Sequence, residues 1–194
     1  MTIFFLLIAA YLAGSIPCGI IVSKFLGTPD PRLQGSGNIG ATNISRVSGK
    51  KAGLITLIGD ALKGAAPALA GILLAPDTPY IAGLAGLAAF IGHLYPVFLG
   101  FKGGKGIATA LGIFLILTPW AIAIEILIFA IIMLTVRIVS VGSLTAALSL
   151  PVCICLLSYP KEYVLSALII AILTIYKHRE NLKRLVEGQE PKFF

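Results

Sequence analysis

The chain has 194 residues, 58% of them hydrophobic and only 12% charged, with a formal net charge of +7. So small a charged fraction excludes an ordinary soluble globular domain, and apolar runs cover so much of the length that no separate soluble domain fits beside them. Residues 1–194 therefore read as one all-α integral-membrane domain whose short polar connections must carry any chemistry.

Residues 1–25, MTIFFLLIAAYLAGSIPCGIIVSKF, have no Lys or Arg ahead of the apolar stretch and Lys24 at its end. A secretory signal carries its positive charge first. The segment is thus predicted to be an uncleaved first transmembrane helix with the N-terminus outside. A polar segment over 27–51 follows, then a second span over 52–75, the turn APDTP, a third span over 80–99 and the basic loop GFKGGKG. The apolar run 107–136 would be about 45 Å long as one helix, against a hydrocarbon core of about 30 Å. Thr118-Pro119-Trp120 lies near its middle. Proline suits a first helical turn and tryptophan a membrane interface, so the run is predicted to split there into two short helices. Residues 139–158 and 162–176 supply the sixth and seventh crossings, and a basic tail begins at Lys177.

Seven crossings with the N-terminus outside put the loops at 25–51, 100–106 and 137–140, and the C-terminal tail, on the cytoplasmic side. Lys161 is then outside and Lys63 within a span, while every other Lys and Arg lies inside or at the inner edge. Treating 107–136 as one helix would move the basic tail outside, against the positive-inside rule. The positive charge is accounted for by this anchoring, so no nucleic-acid partner is expected, and no obligatory protein partner is evident. Cys18, Cys153 and Cys155 all fall in apolar spans and are odd in number, which argues against a disulfide framework or a zinc site.

The predicted topology gathers three unusual segments on one face: GSGNIGATNISR at 35–46, GHLYPVFLGFKGGKG at 92–106 and HRENLKRLVEGQE at 178–190. The first spells G-x-G-x-x-G, but TPDPRLQ before it is no buried strand, so the dinucleotide reading fails its context. It also lacks the lysine that a Walker loop has before its threonine. Gly35, Gly37 and Gly40 allow the backbone to turn N–H groups inward, while Ser36, Asn38, Thr42, Asn43 and Arg46 add donors suited to an anion. In FKGGKG, Lys102 and Lys105 flank Gly103-Gly104 at the start of a helix, where N–H groups also favour negative charge. Positive-inside anchoring alone explains the lysines but not the glycines. His93 lies near the inner end of the third span as either a packing residue or a functional one. Asp60 and Lys63, three apart, read as a mutually neutralising pair, and Glu125 is deep and unexplained.

At GSGNIGATN...R, GH..PVF..F.GGKG and H..N..RL..G.E the chain closely resembles the bacterial integral-membrane glycerol-3-phosphate acyltransferases that use acyl phosphate, the PlsY family. The resemblance runs from the first span to the tail, with Leu182 after the tail asparagine among its conservative departures. It implies transfer of a fatty acyl group from acyl phosphate to the 1-hydroxyl of glycerol 3-phosphate, giving lysophosphatidic acid and inorganic phosphate, at the cytoplasmic face of the inner membrane. It further implies catalytic roles for Ser36, Arg46, His93, Lys105 and Asn181, and substrate binding by Gly37, Asn38, Gly40, Thr42, Asn43, Lys102, Gly103 and Gly104. Membrane lipid is the remaining partner, and no metal or organic cofactor is indicated. The H-x4-D pair of the soluble-domain acyltransferases is absent, and no Ser-His-Asp or Cys-His arrangement is evident. The cytoplasmic carboxylates Asp30, Glu180, Glu187 and Glu190 all lie outside the glycine motifs, which leaves His93 or the phosphate of glycerol 3-phosphate as the general base. The competing class is a small transporter for phosphate or an organic phosphate. Against it, the glycine segments lie at one face and no clear internal repeat is present.

Overall fold

The computed structural model describes residues 1–193, and among them every regular element is helical. Two compact units divide the chain, Met1–Ile116 and the residues from Leu117 onward.

The first unit begins with α1 (Thr2–Gly14) and α2 (Cys18–Phe25), which meet at a bend of 42°. The first predicted span is therefore broken. Pro17 supplies no N–H and ends the helical ladder, and the carbonyl of Ile16, left at the elbow, accepts a 2.7 Å hydrogen bond from Lys63 Nζ. α3 (Ala41–Ser48), α4 (Lys50–Leu74), α5 (Pro79–Leu94), a 3-10 turn at Val97–Leu99 and α6 (Ile107–Leu117) follow. α4 buries Thr56, Asp60, Lys63, Gly64 and Pro67 while Leu54, Ile58, Leu62, Leu69 and Leu73 are exposed. This arrangement of polar stripe inward and leucines outward suits a solvent of lipid tails. Small residues let the helices close up: a Cβ on Gly14 would overlap the Ala89 backbone of α5, and one on Gly112 of α6 would overlap Ala61 of α4.

The second unit holds α7 (Pro119–Thr135), α8 (Val139–Leu156), α9 (Lys161–Lys177) and α10 (Arg179–Val186). The break in the long apolar run falls at Thr118, with Pro119 in the first turn of α7 and Trp120 73% exposed, as proline and an interfacial tryptophan require. Glu125 is buried and accepts a 2.7 Å hydrogen bond from Ser149 Oγ, which ties α7 to α8. α4, Pro79–Leu99 and α8 are each long and apolar enough to cross a membrane, and the bent pair α1 and α2 adds a fourth candidate. α6, α7 and α9 are shorter, at 11, 17 and 17 residues. The eight-residue helices α3 and α10 lie in the segments that read as polar loop and tail.

Candidate active site

The first glycine segment is organised by one side chain. Asn43 is 2% exposed; its amide donates to the carbonyls of Asn38 at 2.8 Å, Pro31 at 2.9 Å and Gln34 at 3.1 Å, and its Oδ1 accepts the Ser36 N–H at 2.8 Å. Gly35 and Gly37 have φ of +61° and +69°, and a Cβ on Gly35 would overlap Asn43 Oδ1. Glycine is therefore favoured at both positions by conformation, and at Gly35 also by space. Asn38 Oδ1 accepts the Gly40 N–H at 2.8 Å, and the Gly37 N–H bonds Gln34. The backbone donors of Ser36, Gly37 and Gly40 thus hold the loop's own shape, and what it turns outward is the side chain of exposed Ser36, half-buried Thr42 at the start of α3, and exposed Arg46. Upstream, Arg32 Nη2 donates to Asp30 Oδ2 at 2.6 Å, and these hydrogen bonds hold the Asp30 carboxyl below the usual range.

The second glycine segment is folded onto His93. The Gly104 N–H donates to the His93 carbonyl at 3.2 Å. A Cβ on Gly103 would overlap that carbonyl, and one on Gly104 would overlap the imidazole Nε2. The glycine pair is therefore what lets the loop lie directly on α5. Lys102 is exposed, Gly104 buried and Lys105 half-buried, just ahead of α6. His93 itself is 3% exposed, with Nδ1 3.6 Å from Asp60 Oδ1. The same oxygen takes the Lys63 ammonium at 2.8 Å, so the neutralising pair expected from the i, i+3 spacing is present and has a third member.

In the second unit, Asn181 on α10 is buried and its amide donates to Glu190 Oε1 at 2.6 Å. Ser140 Oγ donates to the same oxygen at 2.7 Å, and Arg184 Nε to Oε2 at 2.7 Å. Burial raises the Glu190 carboxyl most strongly, but the bonds from Asn181, Ser140 and Arg184 together outweigh it and leave the group below the ordinary glutamate range. A depressed carboxylate stabilises the fold above its unfolded pKa and loses that contribution as pH falls through the folded value. The 179–193 segment should accordingly stay protected from protease at neutral pH and loosen only below the usual glutamate range. Glu190→Gln should show the loosened cleavage pattern already at neutral pH, and proteolysis across a pH series reads both. His178, which opens the tail motif but was not among the candidate residues, is 2% exposed with Nδ1 2.8 Å from the Thr174 carbonyl. Its signal was the H..N spacing that places it one turn before Asn181.

This helical integral-membrane protein thus displays, in one unit, two glycine-rich loops that carry lysine and arginine side chains. The family model for glycerol-3-phosphate acyltransferase matches residues 4–188. Glycerol-3-phosphate acyltransferase of Syntrophotalea carbinolica is 47% identical over 100% of this chain and 99% of its own, and that of Geobacter metallireducens is 52% identical over 97% and 96%. Among solved structures, PlsY (YgiH), an integral membrane glycerol 3-phosphate acyltransferase in its glycerol 3-phosphate form, superposes with a TM-score of 0.96 at 42% identity, covering 100% of this chain and 96% of that one. A lysophosphatidic acid form gives a TM-score of 0.91 at 40% identity, covering 99% and 95%. The chain belongs to the glycerol-3-phosphate acyltransferase family.

Proposed function

We propose that this protein transfers a fatty acyl group from acyl phosphate to the 1-hydroxyl of glycerol 3-phosphate, releasing lysophosphatidic acid and inorganic phosphate, as the first acylation of phospholipid synthesis. The observation that carries the reading is the seating of Gly103-Gly104 on His93, which presents Lys105 just ahead of α6, where a phosphate is favoured by charge and by N–H groups. The similar structure in glycerol 3-phosphate and lysophosphatidic acid forms supplies two molecules that differ by one acyl group.

In this scheme the hydroxyl oxygen attacks the acyl carbonyl carbon, the new ester C–O bond forms, and collapse of the tetrahedral intermediate breaks the C–O bond to phosphate. Lys105 and Arg46 neutralise phosphate oxygens. Ser36 orients the hydroxyl or the carbonyl oxygen, with Thr42, Lys102 and the Gly37, Asn38, Gly40, Gly103 and Gly104 backbone shaping the binding surface; a role for Asn181 as an orienting donor rests on the family resemblance. Asn43 acts by holding the first loop rather than by touching substrate, since its amide is engaged by three carbonyls. The hydroxyl proton passes to the substrate's own phosphate. His93 is the less favoured base because it is buried and its Nε2 edge lies against Gly104.

Reconstituted protein should release inorganic phosphate from acyl phosphate only when glycerol 3-phosphate is present. Phosphate flux into the vesicles without that release would instead favour a transporter. We further place the N-terminus outside and the basic loops on the cytoplasmic face of the bacterial inner membrane, through seven crossings in which α6 and α7 are the short pair. With the native cysteines removed, single cysteines at Ser36 and Gly188 should both react with impermeant maleimide from the cytoplasmic side. Reaction from opposite sides would rule this threading out.

A further inference from the structure

Asp60 and Lys63 are given no step in the proposed acyl transfer, yet both are buried, where a pair of charges is costly and a pair of apolar side chains would pack at least as well. Asp60 Oδ1 holds the Lys63 ammonium at 2.8 Å and lies 3.6 Å from His93 Nδ1. Lys63 is in turn tied to the Ile16 carbonyl at 2.7 Å, so the carboxylate has a fixed position on α4. With Nδ1 turned to that carboxylate, the opposite edge of the imidazole faces Gly104, at a spacing that leaves no room for a Cβ. The carbonyl of the same histidine receives the Gly104 N–H and lies against Gly103. His93 therefore meets the loop through both its ring and its backbone, and Asp60 is the group that faces the ring from behind.

We propose that Asp60 is a positioning residue: acting through His93, it fixes the Gly103-Gly104 backbone and with it the placement of Lys105. The proposal rests on the 102–106 loop being the phosphate-binding one. Misplacement by about 1 Å is enough to cost a site on the order of a hundredfold, so a rigid support behind the ring has a catalytic consequence without any contact to substrate.

The test is Asp60→Asn/Lys63→Met, which removes both charges together and leaves no lone buried ion. We expect a folded protein whose KM for glycerol 3-phosphate rises about tenfold, with kcat changed less. Deuterium exchange over 103–106 should quicken by about tenfold as well. In a His93→Gln background the same pair of changes should add less than about twofold, because groups that act in series are not additive. A double variant that is stable and keeps the parent's KM and exchange would reduce Asp60 to a fold staple and overturn the proposal, as would failure to fold with both charges gone. Exchange needs no substrate. If the parent did not acylate glycerol 3-phosphate the proposed function would fail, while the exchange comparison would still decide whether Asp60 holds the loop.

Discussion

Lys105→Ala is expected to leave a folded, membrane-embedded protein whose acyl transfer falls by about 10²–10³-fold, the loss typical of removing a fixed charged donor from a transition state. The side chain is half-buried, and its backbone is held between Gly104, bonded to the His93 carbonyl, and Gly106, whose φ is +83°. The glycines and His93 that set the loop's backbone are untouched by the substitution. Phosphate release and thermal unfolding in detergent, measured on the same preparation, separate the two effects. Lys105→Arg should recover part of the rate, since charge is kept while the reach and fork geometry change. Parent-like turnover in Lys105→Ala would remove this residue from the reaction.

Asp60→Asn alone should cost about 3–5 kcal/mol of stability, the penalty for stranding one member of a buried ion pair. Asp60 is 2% and Lys63 8% exposed, so water does little to screen the abandoned ammonium. Adding Lys63→Met should recover most of the loss. Denaturation in detergent across the single and double variants reads the difference, and a single variant as stable as the parent would show that the pair is wetter than its burial implies.

How much was legible in the sequence depended on how far apart the interacting residues lie. The break at Thr118 could be read because Pro119 carries its own backbone constraint, and the Asp60–Lys63 pair because i, i+3 spacing puts both on one helical face. His93 as the third member could not be read, since nothing local to α5 says which part of α4 it meets. The elbow after Gly14 was missed for a similar reason. Pro17 sits within an apolar stretch long enough to span, and the lysine that reaches the Ile16 carbonyl is 47 residues away. α3 and α10 are clearly amphipathic, yet at eight residues each they fall short of the window over which a helical period can be told from a polar loop.

In the site, the residue types of the first loop were readable but their division of labour was not. Asn43 and Ser36 look alike as donors, yet Asn43 spends its amide on Pro31, Gln34 and Asn38 while Ser36 is exposed. Glu190 showed the same ambiguity. A carboxylate in a basic tail reads equally as solvated or as fixing the tail by pairing with basic groups until Ser140, Asn181 and Arg184 are seen to converge on it.

The bond from Lys63 to the Ile16 carbonyl has a consequence for biogenesis. In a nascent chain that has delivered only its first apolar stretch to the bilayer, the Ile16 carbonyl has the Cys18 N–H at 3.1 Å but not yet the charged donor that α4 supplies. The elbow therefore gains its charge-assisted hydrogen bond only once the α4 segment is inserted beside it, so the arrival of α4 completes that corner of the fold.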